Sequence, residues 1–179
     1  MENSKPLINK VAQSALVTLD LEAYFPKAEE IVLIDMKDFL FKGLILREKE
    51  FRESVKQKNW SEYKGKYVVI SCSTDAIIPM WAYMVLSAQL SPYAIDIANS
   101  DPSHAAEIFL YRNLARLDFE QFRDQRIVIK GCGEKQVPEA AYVQITQALV
   151  PIAQSVMYGE PCSTVPVFKR KAGTIEDQD

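Results

Sequence analysis

The hydrophobic pattern of the chain consists of short apolar runs separated by stretches with helical spacing. Residues 16–21 alternate apolar and polar positions, which is typical of a half-buried strand, and residues 30–35 form a second strand candidate. From residue 46 to residue 58 the pattern becomes helical and highly charged, with Phe51 and Val55 four residues apart on one face. The first third of the chain therefore predicts strands that alternate with helices.

One segment of the chain resembles a later segment at a shift of 59 positions. Residues 60–92 align with residues 119–151 without a gap, and seven of the 33 pairs are identical, where about two are expected from average residue usage. In each half, an aromatic pair precedes an apolar strand, a cysteine-bearing loop and a proline that opens a helix. Proline suits a helix start because its missing N–H would have no partner there. We interpret the two segments as a strand–loop–helix repeat.

The remaining elements are predicted from their flanking residues. Residues 93–98 form a short strand candidate, and Asp101 is a predicted N-cap for a helix that ends near residue 117. After Pro151, residues 152–158 predict a short helix, and residues 164–168 predict a last strand.

This order of elements predicts an α/β fold. Strand–loop–helix units in series favour parallel strands joined by helical crossovers, and 179 residues suit one domain. We therefore expect a single α/β domain over residues 1–179, with a mixed, mostly parallel sheet flanked by helices. The repeat units cover about residues 60–92 and 119–151, and the tail at about 170–179 is expected to be disordered.

Composition excludes several classes of function. The formal net charge of −3 argues against a general nucleic-acid-binding protein, which needs a basic face. No stretch approaches the roughly 20 apolar residues of a membrane span, and no signal peptide is visible at residues 1–6. Three cysteines, an odd number, suit a reducing compartment better than a disulfide scaffold. The expected location is the cytoplasm, with neither membrane nor nucleic acid as a partner.

The three cysteines are the first candidates for chemistry. Cys72 and Cys132 follow the two repeated strands, and Cys162 follows the second helical stretch. In open α/β sheets, ligands bind beyond the carboxyl ends of the strands. If the two strands are neighbours, Cys72 and Cys132 approach each other, and Cys162 could rejoin them. Three thiolates can hold zinc, or iron in an iron–sulfur cluster. The alternative is that each cysteine is a small structural residue at a strand end.

The loops that carry these cysteines supply further candidates. Asp75 and Glu134 occupy equivalent repeat positions, so either could be a fourth metal ligand or a proton carrier. Cys–His catalysis fits poorly, because the only histidine, His104, lies in a predicted first helical turn. The Gly-Cys-Gly run has neither the Walker spacing nor the dinucleotide fingerprint. The candidate cofactor-contacting residues are Ser73, Thr74, Asp75, Gly131, Gly133 and Glu134.

Three groups of residues form recognisable motifs: SCSTDAIIP at 71–79 with WAY at 81–83; KGC at 130–132 with VPE at 137–139 and Tyr142; and CSTVP at 162–166 with FKR at 168–170. These motifs resemble those of a bacterial protein family, DUF2480, seen mainly in Bacteroidetes. The similarity covers nearly the whole chain, and it implies a bacterial cytosolic protein without assigning an activity. The resemblance also favours iron over a purely structural role for the cysteines, through an association of such genes with iron–sulfur assembly.

Three functions are compatible with these residues. The preferred hypothesis is a metal-binding or iron–sulfur-related accessory protein that uses Cys72, Cys132 and Cys162 as ligands. A non-catalytic interaction module with structural cysteines and an unknown protein partner is the alternative. The third function is a small-molecule enzyme that uses the same loops, with Asp75 or Glu134 as a base. The sequence leaves open whether the protein is an enzyme.

Overall fold

The computed structural model describes residues 16–131 and 133–171. Two compact units are present. The continuous unit comprises residues 25–113, and the discontinuous unit comprises residues 16–24 together with residues from 114 onward. The α/β class with mostly parallel strands and flanking helices is confirmed, but the strands form two sheets rather than one. The assignment of all residues to a single domain stays a prediction, and the expected disorder of the tail concerns residues that lie largely outside the described ranges.

The continuous unit contains a parallel three-stranded sheet. Its strands are β2 (Ile31–Asp35), β3 (Tyr67–Ser71) and β4 (Asp96–Asn99), in the order β2-β3-β4. The central strand β3 is a nearly continuous apolar run, as expected for a strand that is covered on both faces. Its register places Asp35 of β2 opposite Ser71 at the carboxyl end of β3.

Helices cover both faces of this sheet. They are α1 (Glu48–Gln57), α2 (Met80–Leu90) and α3 (Ala105–Ala115). Val68 and Ile70 of β3 belong to the same buried cluster as Phe51 of α1 and residues of α2. Val69, which points to the opposite face, packs with Phe109 of α3. The continuous unit is therefore a three-layer α/β arrangement with two separate cores.

The discontinuous unit contains a four-stranded sheet in the order β1-β5-β6-β7. The first three strands are parallel, and β7 joins β6 in an antiparallel hairpin. One helix, α4, buries Ala141, Ile145 and Leu149, which are four residues apart on a single face. The bounds are β1 (Leu16–Leu19), β5 (Arg126–Ile129), α4 (Glu139–Leu149), β6 (Ser155–Glu160) and β7 (Ser163–Lys169).

The helix predicted over residues 152–158 is wrong. Residues 155–160 form β6, whose Val156 lies opposite Ile127 of β5 and Phe168 of β7. A short apolar run has no period that distinguishes helix from strand. Residues 155–160 are therefore a strand because they pair with β5 on one side and β7 on the other.

Elements on the two sides of the sequence repeat have matching bounds. The 3₁₀ helices Trp60–Tyr63 and Phe119–Phe122 are 59 residues apart, as are the first residues of α2 and α4. Each α-helix begins directly after a proline, Pro79 or Pro138. The common origin of the two segments stays a prediction.

No helix within residues 16–131 and 133–171 combines the length and the apolar character needed to cross a membrane. Helices α2, α3 and α4 have 11 residues each, and a span requires about 20.

Candidate functional site

Two of the three candidate cysteines lie in different units. Cys72 directly follows β3 in the continuous unit, is half-buried, and packs against the core cluster that contains Phe51. Its Sγ donates to the carbonyl oxygen of Thr74 at 3.3 Å. Cys162 is exposed in the turn between β6 and β7 of the discontinuous unit. Cys132 lies outside the described residues.

The condition under which Cys72 and Cys132 were expected to approach each other, that the two repeated strands are neighbours, is not met, because β3 and β5 belong to separate sheets. Within the described part of the chain, no group of three His, Cys, Asp or Glu side chains is placed to hold a metal ion. The metal site at Cys72, Cys132 and Cys162 stays a prediction, since Cys132 is not among those residues.

Hydrogen bonds to Asp35 hold the loop that follows β3. The Asp35 carboxylate accepts the amide N–H groups of Ser73 at 3.0 Å and of Lys37 at 2.9 Å. Burial alone would raise the pKa of Asp35, but the hydrogen bonds from Ser73 and Lys37 outweigh it and hold the pKa below its ordinary value. Ser73 is thus engaged in loop structure, and cofactor contact by Ser73, Thr74 and Asp75 stays a prediction.

A cavity lies at the carboxyl ends of β1 and β5 in the discontinuous unit, and we call it the carboxyl-edge cavity. Its volume is about 820 Å³. Three of the sequence-predicted residues line it: Gly131, Gly133 and Glu134. The other lining residues are Asp20, Leu21, Glu22, Ile129, Lys130, Lys135, Gln136, Val137, Glu139, Tyr142, Thr146, Tyr158 and Val167.

An ion pair joins the two strand ends that border the cavity. Lys130 follows β5, and its Nζ lies 2.8 Å from Oδ2 of Asp20, which follows β1. This hydrogen bond raises the pKa of Lys130 above its ordinary value, and the negative charges of Asp20, Glu22 and Glu160 act in the same direction against the effect of desolvation. Lys130 therefore stays protonated and serves as a counter-ion to Asp20.

Close packing explains the two glycines of the β5 loop. A Cβ at Gly131 would lie 2.7 Å from Cζ of Tyr158. A Cβ at Gly133 would fall on the carboxylate of Glu22, which also accepts the amide N–H of Glu134 at 3.1 Å. A side chain at either position would therefore require the Tyr158 ring or the Glu22 carboxylate to move away from the loop.

Two tyrosines form the aromatic part of the wall. The rings of Tyr142 on α4 and Tyr158 on β6 meet edge to face, with centroids 5.7 Å apart and planes at 79°. The Tyr158 hydroxyl donates to the carbonyl oxygen of Gly131 at 3.2 Å, which fixes the ring beside the loop. Thr146 of α4 and Val137 complete this side of the cavity.

Sequence reasoning missed Asp20, Glu22, Lys130 and Tyr158. Their positions could have identified two of them, because Asp20 and Lys130 each come directly after an apolar strand. Using these positions requires knowing that β1 pairs with β5, a strand more than a hundred residues later. Tyr158 was not recognised as a strand residue, because residues 152–158 were predicted to form a helix.

A family model described as "Protein of unknown function (DUF2480)" matches residues 5–170. The chain belongs to the DUF2480 family. The match spans all but four of the first residues and the last nine, so it covers both units. No curated protein and no solved structure matches the chain. The DUF2480 assignment confirms the resemblance seen in the three motifs, and it leaves the function to be argued from the site.

Proposed function

We propose that the discontinuous unit binds a small organic molecule in the carboxyl-edge cavity. The observation that carries this proposal is the cavity itself, whose 820 Å³ falls within the roughly 300–1,000 Å³ typical of small-molecule sites. Its position agrees with the general rule for α/β sheets, in which ligands bind beyond the carboxyl ends of parallel strands.

The lining has the composition of a binding site. Val137, Val167 and the rings of Tyr142 and Tyr158 provide apolar surface. Leu21 and Ile129 also border the cavity but are almost fully buried. Polar groups come from the loop after β5 and from the residues after β1. A surface that combines apolar groups with polar groups, some of them held by hydrogen bonds, can both bury and orient a ligand.

A cavity-filling variant tests the proposal. Thr146→Trp places an indole in the cavity, whereas Val143→Trp places one on the same helix at a position that is 58% exposed and does not line the cavity. Both proteins and the parent are titrated with a set of cationic, neutral and anionic aromatic fragments, with ¹H–¹⁵N spectra as the readout. We expect fragments to shift resonances of lining residues in the parent and in Val143→Trp, and not in Thr146→Trp.

Two results would contradict the proposal. One is a fragment set that shifts no lining residue in the parent protein. The other is fragment binding that survives unchanged in a folded Thr146→Trp variant, because the bound molecule would then lie elsewhere.

The three-cysteine metal site is a separate proposal with its own test. It is supported by the residue types, since three thiolates suit zinc or an iron–sulfur cluster. Protein purified without oxygen is assayed for zinc, iron and acid-labile sulfide. Near-stoichiometric metal that is lost after replacing Cys72, Cys132 and Cys162 by Ser supports it. Metal-free protein that cannot be reconstituted contradicts it.

A further inference from the structure

The charges around the carboxyl-edge cavity are unequal. Among the described residues, the lining contains four carboxylates and two ammonium groups, which give it a formal charge of −2 at neutral pH. The carboxylates belong to Asp20, Glu22, Glu134 and Glu139, and the ammonium groups belong to Lys130 and Lys135.

The ion pair between Lys130 and Asp20 cancels one charge of each sign. With the Nζ–Oδ2 distance at 2.8 Å, the Lys130 ammonium is engaged with Asp20 rather than presented to a ligand. The raised pKa of Lys130 shows the same negative surroundings, since Asp20, Glu22 and Glu160 all contribute to it. The Glu22 carboxylate accepts the amide N–H of Glu134, a neutral donor that brings no positive charge to the cavity.

Besides the carboxylates, the rings of Tyr142 and Tyr158 provide surface that can attract a cation. Tyr142 and Tyr158 both line the cavity, and an aromatic ring attracts a cation placed over its face. The same rings offer flat apolar surface for an aromatic or aliphatic body. Acidic groups and aromatic rings thus lie on the walls of one cavity of ligand size.

We propose that the carboxyl-edge cavity selects an organic amine, with the protonated nitrogen facing the carboxylates and the apolar body against Tyr142, Tyr158 and Val137. This inference rests on the proposed function, because it names the chemical class of the ligand for the same cavity. A carboxylate or phosphate ligand of the same shape would meet repulsion from the lining carboxylates other than Asp20.

Three probes that share a phenethyl-type skeleton separate charge from shape. Phenethylamine, 2-phenylethanol and phenylacetate are titrated at pH 7 and low ionic strength, with ¹H–¹⁵N spectra as the readout. We expect the amine to bind about tenfold more tightly than the alcohol, and the carboxylate to bind most weakly. Raising the salt concentration should weaken amine binding and leave alcohol binding unchanged.

Matched variants locate the effect. Glu139→Gln removes one lining carboxylate at the start of α4, and it should weaken amine binding about threefold to tenfold while leaving the alcohol unaffected. Glu120→Gln removes an exposed carboxylate of the same unit that does not line the cavity, and it should change neither.

The two proposals fail in different ways. If the alcohol or the carboxylate shifts the lining residues with an affinity equal to that of the amine, the charge selectivity is wrong and cavity binding stands. If none of the three probes, nor any member of the wider fragment set, shifts a lining residue, the proposed function is wrong as well.

Discussion

The carboxyl edges of the two sheets begin alike. In the continuous unit Asp35 ends β2, and its carboxylate accepts the amide N–H two residues later at 2.9 Å. In the discontinuous unit Asp20 follows β1, and its carboxylate accepts the corresponding N–H at 3.0 Å. A 3₁₀ helix follows each strand, over Met36–Phe39 and Leu21–Tyr24. Each edge therefore starts from the same local turn.

The two edges differ in what fills the space beside that turn. In the continuous unit, Met36, Ile70 and Ile78 are buried in one cluster with Phe51 of α1. Phe51 also stacks edge to face on Trp81, with the ring centroids 5.4 Å apart.

In the discontinuous unit, Leu21, Ile129 and Val137 stand at the corresponding positions and line the carboxyl-edge cavity. The described residues of the discontinuous unit include no helix equivalent to α1 between β1 and β5. Phe51 of α1 thus packs at this edge of the continuous unit, whereas a cavity lies at the corresponding edge of the discontinuous unit.

Removing the filling side chain should have the largest effect. Phe51→Ala leaves a void in the continuous unit, and we expect the free energy of unfolding to fall by about 3–5 kcal/mol. Both tryptophans of the chain, Trp60 and Trp81, lie in this unit, so their fluorescence during urea denaturation reports on it directly. Lys49→Ala, at an exposed position of the same helix, is the control. A loss below about 1 kcal/mol for Phe51→Ala would contradict the packing account.

Adding a side chain to the open edge should have an intermediate effect. Gly133→Ala displaces the Glu22 carboxylate and removes the acceptor of the Glu134 amide, which should cost about 1 kcal/mol. In a Glu22→Ala background the same change should cost nothing or stabilise by about 0.4–1 kcal/mol. Urea denaturation followed by far-UV circular dichroism measures both. Equal costs in the two backgrounds would show that Gly133 and Glu22 are not coupled.

The smallest effect on stability should come from Asp35, the aspartate of the turn that follows β2. Because the pKa of Asp35 is lowered in the folded protein, its charge stabilises the fold above the ordinary Asp pKa of about 3.9. That contribution is lost as the pH falls through the folded-state value. Asp35→Asn should therefore reduce the dependence of stability on pH between 6 and 3, by about 0.5 kcal/mol or less. Asp38→Asn, in the exposed part of the same turn, is the control, and an equal change in both variants would contradict the assignment.

Local patterns were sufficient to predict much of the fold. The apolar run of β3 and the spacing of Phe51 and Val55 identify their elements, and they do so because burial imposes those patterns. The division into two sheets could not be predicted in this way. Which strand pairs with β1 depends on residues far along the chain, and residues 155–160 become a strand only through their neighbours.

Of the residues that line the carboxyl-edge cavity, the sequence predicted only those in the loop after β5. Gly131, Gly133 and Glu134 were identified because they follow a recognisable strand, and the structure places them at the cavity. Asp20 and Glu22 contribute from the other strand end, and no local signal relates them to the loop after β5. Both glycines have a packing reason, which spacing alone does not reveal.

The two-segment construction of the discontinuous unit has a consequence for synthesis. Asp20 and Lys130, at the ends of the paired strands β1 and β5, are separated by 110 residues. At roughly 5–20 residues per second, a ribosome needs on the order of 5–20 s to make that stretch. During this time β1 has no sheet partner, whereas the continuous unit can already fold from residues 25–113. Vectorial synthesis therefore favours completion of the filled unit first, and the nascent β1 strand must stay unaggregated until its partner emerges from the ribosome.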